Sequence, residues 1–88
     1  MMKCERYSEV LKALGHPVRL KIISELLSAK ECNVNKIVEE LNIPQSTASQ
    51  HLAVLRNRNI IAPSKHGVST CYHVIDEKVR EIIKIISC

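Results

Sequence analysis

The stretch NVNKIVEELNIPQSTASQHLAVLR, residues 33–56, decides the fold. Its apolar residues recur three and four positions apart on both sides of Asn42, which is the pattern of two amphipathic helices joined by a short turn. Asn33 is expected to cap the first helix through its side-chain oxygen, and Asn42 to adopt the left-handed conformation of a tight turn. With Pro44 opening the second helix, the stretch predicts a helix-turn-helix over about residues 34–58.

The flanking sequence predicts two helices before this stretch, and a hairpin and a last helix after it. Apolar residues at helical spacing place the first helix over about residues 3–14. Over residues 60–74 the apolar period changes from 3.6 to 2, which indicates two strands joined by a turn at His66 and Gly67. The last amphipathic helix is expected over about residues 76–88. The predicted fold class is mainly α with a small β-hairpin, a winged helix-turn-helix of order α-α-α-α-β-β-α in a single domain over residues 1–88.

One face of the helix after the Asn42 turn carries short polar side chains, with no acidic residue in its first two turns. Gln pairs well with adenine, Ser and Thr bond a base edge or a phosphate, and Arg reads guanine or phosphate. A polar face of this kind is often only a solvated surface, but its place between a tight turn and a basic hairpin favours DNA. The residues expected to contact DNA are Gln45, Ser46, Thr47, Ser49, Gln50 and Arg56 on the helix, and Lys65 and His66 at the hairpin tip.

Composition agrees with a nucleic-acid partner and excludes several other classes of protein. The chain of 88 residues has a net charge of +4, which favours binding to phosphates. Its first residues contain no apolar run, so we expect no signal peptide, and no stretch reaches the roughly 18 apolar residues that a membrane span needs. A cytoplasmic location is therefore expected, with the four cysteines reduced. Since no catalytic motif and no metal-ligand cluster is present, we expect neither an enzyme nor a cofactor.

Three segments together resemble the ArsR (ArsR/SmtB) family of repressors: ALGHPVRLKII (13–23), the helix-turn-helix of residues 33–56, and HGVSTCYHV (66–74). The resemblance implies a homodimer that represses transcription by occupying an imperfect palindrome in double-stranded DNA, with half-sites about 34–36 Å apart. It also implies release by an inducer, whose identity cannot be deduced from the sequence. The dimer would form mainly between the first and last helices, through Val10, Leu11, Leu14, Ile82, Ile83 and Ile86.

The positions at which family members bind metal differ in this chain. The two cysteines that begin the third helix of soft-metal sensors correspond to Asn33 and Asn35, and Cys32 lies one place off. At the site on the last helix, the Asp is present as Asp76, but Lys78 occupies the position of the His. We therefore expect neither of the family's usual metal sites.

The cysteines leave several functions open. The redox-sensing members pair a cysteine of the second helix with one of the last, and the second-helix position here is Ser24. Cys4 and Cys88 lie on the two expected dimer helices, so they could form a disulfide or bind As(III), with Cys32 as a third candidate thiol. Cys32 and Cys71 are otherwise small apolar fillers. The chain could also be a regulator without an inducer, or a winged-helix module that binds protein instead of DNA.

Overall fold

The computed structural model describes residues 2–28, 33–66 and 69–86. In these ranges the element order confirms the predicted winged helix-turn-helix, and no helix is long and apolar enough to cross a membrane. The elements are α1 (Met2–Leu14), α2 (Pro17–Ser28), α3 (Val34–Leu41), α4 (Gln45–Asn57), β1 (Ile61–His66), β2 (Ser69–Val74) and α5 (Glu77–Ile86).

Side-chain and backbone chemistry at two asparagines sets the ends of α3. Asn33 Oδ1 accepts a hydrogen bond from the Asn35 N–H at 3.0 Å, which confirms the predicted cap. At the other end Asn42 has φ 55° and ψ 47°, in the left-handed region, and its N–H donates to the Val38 carbonyl at 3.1 Å. Pro44 differs slightly from the prediction: it is the N-cap of α4, because its ψ of 147° is extended and not helical.

The core is aliphatic and draws on every element. Ile22 and Ile23 of α2 lie at its centre with no exposed surface, and Leu55 of α4 is equally buried. The predicted inward face of α4 is confirmed, because Ala48 and Leu52 are buried beside Leu55. Each such side chain contributes roughly 1.5–3 kcal/mol through removal of apolar surface from water. The α4 helix is therefore fixed from behind by apolar packing.

The wing is an antiparallel pair of strands in which Ile61 lies opposite Val74 and His66 lies opposite Ser69. The predicted turn at His66 and Gly67 is wrong by one position, because this register places His66 inside β1 and leaves residues 67 and 68 between the paired ends. Those two residues lie outside the described ranges. An isolated β-bridge between Asn33 and Cys71 holds the start of the helix-turn-helix against β2.

Candidate nucleic-acid interface

The polar face predicted to contact DNA lies on the outside of α4. The side chains of Gln45, Ser46, Ser49 and Gln50 are exposed, and that of Thr47 is half-buried. No acidic residue lies in the first turn. This face therefore presents hydrogen-bond donors and acceptors without a negative charge that would repel phosphate.

The N-terminal end of α4 is suited to a phosphate. Pro44, its N-cap, makes no side-chain cap hydrogen bond. The Ala48 N–H donates to the Pro44 carbonyl at 3.0 Å, and this is the first hydrogen bond of the helix. The N–H groups of the three residues between them therefore have no acceptor within the helix. Together with the positive end of the helix dipole, these groups favour an anion at this position.

The basic residues around this face differ in their surroundings. Arg56 is exposed in the last turn of α4. Arg58, two residues further on, pairs with Glu9 of α1, with Nη2 and Oε2 3.2 Å apart. Lys65 and His66 are the last two residues of β1, at the far end of the wing, and their side chains lie outside the described part of the structure.

His51 points inward from α4 and connects it to α2. Its side chain is buried, and its Nδ1 accepts a hydrogen bond from Arg19 Nε at 3.0 Å. The His16 ring lies beside it, with 4.5 Å between the ring centroids. Burial, and then the charges of His16 and Arg19, lower the pKa of His51 below its ordinary value. No pattern in the sequence pointed to Arg19, because it lies 32 residues from its partner.

Three of the six residues predicted to form the dimer are buried inside the chain itself. Val10, Leu14 and Ile83 belong to the core, because α1 and α5 pack on the rest of the chain through these side chains. Leu11 and Ile86 keep 54% and 48% of their surface exposed. The apolar surface that a partner chain could cover is therefore narrower than the sequence pattern suggested.

A groove of about 340 Å³ adjoins this exposed surface. Ile82, the remaining predicted dimer residue, is half-buried in its wall. Ile85 of α5, which was not among the predicted dimer residues, is 84% exposed. In its wall the Lys78 ammonium lies over the Tyr7 ring, with Nζ 5.1 Å from the ring centroid. Its lining is Lys3, Cys4, Tyr7, Leu11, Lys78 and Ile82.

Known proteins are similar to this chain in both sequence and fold. Residues 16–62, more than half of the chain, match the family described as "Bacterial regulatory protein, arsR family". The chain belongs to the ArsR family. It is therefore a DNA-binding transcriptional regulator of the winged helix-turn-helix class.

Three known proteins are similar to this chain over nearly its whole length. An uncharacterised HTH-type transcriptional regulator of Methanocaldococcus jannaschii is 40% identical over 98% of this chain and 97% of that protein. The transcriptional repressor PagR of Bacillus anthracis is also 40% identical, and its crystal structure aligns with a TM-score of 0.85 over 97% of each chain. HlyU from Vibrio cholerae is 28% identical, with a TM-score of 0.85 over 96% of this chain and 90% of HlyU.

Asp76, which corresponds to an ArsR-family metal ligand, holds two helices together in this chain. Its Oδ2 accepts hydrogen bonds from Arg6 Nη2 at 2.7 Å and from the Tyr7 hydroxyl at 3.0 Å. Its Oδ1 accepts the Val79 N–H at 3.1 Å and so caps α5. Burial alone would raise the pKa of Asp76, but the hydrogen bonds from Arg6, Val79 and Tyr7 outweigh it and hold that pKa below its ordinary value. Within the described ranges, no group of three or more His, Cys, Asp or Glu residues could hold a metal.

The cysteines in the described part of the chain occupy two separate places. Cys4 is a free, exposed thiol in the lining of the groove. Cys71 is buried and disulfide-bonded, which corrects the expectation of a reduced apolar filler. The β-bridge with Asn33 explains its burial, because it brings the chain before α3 against β2. Cys32 and Cys88, the other predicted thiol-sensing residues, lie outside the described ranges.

Proposed function

We propose that the protein is a homodimeric transcriptional repressor that occupies an imperfect palindrome in double-stranded promoter DNA. The observation that carries this proposal is the exposed, acid-free polar face of α4, which stands in front of a well-packed core. PagR, with 40% identity over almost the whole chain, is itself named a transcriptional repressor. Repression then follows from occupancy of the promoter.

The contacts divide into those that read sequence and those that add affinity. The first two turns of α4 enter the major groove, where side-chain amides and hydroxyls meet base edges. Arg56, with Lys65 and His66 of the wing, contacts phosphates, which position the protein without specifying sequence. The residues assigned to base edges and the adjacent phosphates are Gln45, Ser46, Thr47, Ser49 and Gln50.

The second copy of the chain covers the exposed apolar surface of α1 and α5. Leu11, Ile85 and Ile86 form this surface together with the adjoining groove, and no described element covers them. A two-fold axis here relates the two α4 helices by symmetry, as a palindrome of two half-sites requires. The groove residue Ile82 contributes to the same contact.

The test is selective binding to DNA by matched serine variants. The purified protein selects a duplex from a random-sequence library, and fluorescence anisotropy then compares that duplex with a scrambled one. Ser46→Ala is expected to reduce the preference by about 0.5–1.5 kcal/mol, the contribution of one neutral hydrogen bond. Ser8→Ala makes the same chemical change at an exposed site on α1 and should leave the preference unchanged.

Two results would contradict this function. Equal affinity for the selected and the scrambled duplex would show that the protein does not bind DNA in a sequence-specific way. Absence of any salt-dependent binding to DNA would instead favour a winged-helix module for protein partners, since phosphate contacts always carry a salt dependence.

Thiol-based sensing is a second candidate function, because Cys71 is disulfide-bonded. In this scheme a hydroperoxide oxidises two thiols: the sulfurs form one S–S bond, and the two electrons and two protons reduce the peroxide O–O bond to water or alcohol and water. Cys4, Cys32 and Cys88 remain the other candidate thiols, for this reaction or for As(III).

Gel-shift assays distinguish thiol sensing from regulation without an inducer. The protein–operator complex is treated first with a reductant and then with hydrogen peroxide, As(III) or Zn(II). Thiol sensing predicts release of DNA by at least one thiol-directed treatment, and resistance to it in Cys71→Ser or Cys4→Ser. If no treatment releases DNA and the variants behave as the parent protein does, the protein acts without a thiol-linked inducer.

A further inference from the structure

A polar junction lies behind the DNA-reading face, where the end of α1, the start of α2 and the middle of α4 meet. Arg19 donates twice, from Nε to His51 Nδ1 at 3.0 Å and from Nη1 to the Ala13 carbonyl at 3.4 Å. His16 Nδ1 accepts the Val18 N–H at 3.1 Å, and its ring lies against that of His51. The junction thus joins three helices through one cation and two imidazoles.

The donors at this junction determine the protonation of both imidazoles. A guanidinium N–H and a backbone N–H can only donate, so Nδ1 of His51 and Nδ1 of His16 must each carry a free lone pair. The His51 ring is therefore neutral, with its proton on Nε2. Adding a proton to Nδ1 of His51 removes the acceptor and places a second cation beside the Arg19 guanidinium, only 3.0 Å away.

The groups around His51 do not offset that added charge. The charges that act on it are those of His16 and Arg19, and both groups are basic. The carboxylate through which α1 contacts α4, that of Glu9, is already paired with Arg58 at 3.2 Å and with Lys12 at 3.5 Å. The imidazolium form of His51 is therefore disfavoured in the packed arrangement.

The position of His51 links the junction to DNA contact. It directly follows Ser49 and Gln50 in α4, so any change in how this helix sits on α2 moves the exposed face with it. The apolar neighbours Ala48 and Leu52 fill the space behind the helix, but apolar burial is non-directional. The Arg19–His51 hydrogen bond adds a directional constraint on the rotation of the helix about its axis.

We propose that the Arg19–His51 hydrogen bond positions α4 for operator DNA, and that it does so only while the His51 ring is neutral. Acid then releases α4 and weakens operator binding. Only this last consequence rests on the proposed function as a DNA-binding repressor. Arg19 and His51 are positioning residues, since neither lies on the exposed face.

The direction of the pH effect separates this inference from simple electrostatics. Because the pKa of His51 is lowered by folding, the stability that neutral His51 contributes is complete above the unfolded value of about 6.5. It is lost as the pH falls through the folded value. Extra positive charge on histidines at low pH would, by itself, strengthen binding to phosphates. Weaker binding in acid is therefore a result that only a positioning role explains.

The first test uses the protein without DNA. NMR titration of the imidazole nitrogens and of the α4 backbone amides, from pH 7.5 to 5.0, follows protonation and helix position together. We expect the Nε2–H tautomer for His16 and His51 at pH 7.5, and shifts of the α4 amides with the same midpoint as His51. An Nδ1–H tautomer at His51, or α4 amides that ignore its titration, would overturn the proposal.

The second test measures operator affinity between pH 7.5 and 5.5. The unmodified protein should lose affinity progressively as the pH falls below about 6.5, and by less than about tenfold at pH 5.5, because one group with a lowered pKa can couple no more than that. His51→Asn places an amide oxygen near the Nδ1 position without a titrating ring, so its affinity should not fall in acid and should stay level or rise. His73→Asn changes an exposed imidazole of the wing and should keep the acid-induced loss.

Arg19→Gln provides a second variant if His51→Asn does not fold. It retains an N–H donor but removes the charge, so the midpoint of the pH profile should move upward. A constant or rising affinity of the unmodified protein in acid would refute the inference, as would an acid-induced loss that persists unchanged in both variants. Absence of selective binding at pH 7.5 would refute the proposed function instead, and the NMR titration would still decide the role of the junction.

Discussion

Replacement of Asp76 by Ala should destabilise the fold through the loss of two hydrogen bonds, one that caps α5 locally and one that joins α5 to the distant α1. The lost cap of α5, made to the Val79 N–H, accounts for about 1 kcal/mol. The Tyr7 hydroxyl, left without this acceptor, accounts for about 1 kcal/mol more. We assign no energy to the Arg6 ion pair, because solvent around that guanidinium screens it. The expected decrease in the free energy of unfolding is therefore about 2 kcal/mol.

Thermal and urea denaturation measure this decrease at one fixed protein concentration, since the proposed dimer would make the midpoint depend on concentration. A loss of about 2 kcal/mol lowers Tm by roughly 8–16 °C in a domain of this size. Asp76→Asn keeps an oxygen for the cap and should lose about half as much. Glu77→Ala, at the exposed neighbouring position, serves as the control and should change little.

The pH dependence of the same experiment follows from the lowered pKa of Asp76. Its ionised form is favoured by folding, so the stability it contributes is present above the unfolded value of about 3.9 and is lost as the pH falls through the folded value. The difference between the parent protein and Asp76→Asn should therefore narrow below about pH 4. A difference that is unchanged by pH, or an Ala variant as stable as the parent, would refute the reasoning.

Three further predictions concern the turn, the dimer and DNA affinity. Asn42→Ala should lower the free energy of unfolding by about 1–2 kcal/mol in urea denaturation, because residue 42 has a φ of 55° that Ala adopts only with strain. Asn42→Gly should lower it less, and equal losses would contradict this explanation. Leu11→Glu should convert the dimer to a monomer in analytical ultracentrifugation, and an unchanged sedimentation coefficient would place the interface elsewhere. Arg56→Ala should weaken binding to the selected and the scrambled duplex alike, and should reduce the magnitude of the slope of log affinity against log salt concentration by about 0.9. Lys12→Ala should do neither. A loss of affinity confined to the selected duplex would instead make Arg56 a base contact.

The helix-turn-helix could be predicted from the sequence in detail because its determinants are local. The cap at Asn33 and the left-handed turn at Asn42 each involve backbone groups within four residues, so the residue type nearly specifies the conformation. The inward face of α4 was equally predictable, since a helix of period 3.6 places Ala48 and Leu55 on one side.

The apolar stripes of α1 and α5 show where periodicity stops being informative. A stripe identifies the residues that must be covered, but it does not say whether the cover is the rest of the chain or a second copy. Val10 and Ile83 satisfied the pattern and became core, whereas Leu11 and Ile86 satisfied it and stayed exposed. Hydrophobic burial is non-directional, so only the packed arrangement assigns each residue its neighbour.

By itself, then, the sequence determined the order of the elements, the polar face of α4 and the family, because these depend on short-range patterns and on residue types. The tertiary structure alone decided the partners of the buried polar groups. Arg19 and His51 are 32 positions apart, and Arg6 and Asp76 are 70 apart. A hydrogen bond requires its two atoms to lie within about 3 Å, and for residues so distant along the chain that condition is met only once the helices have packed.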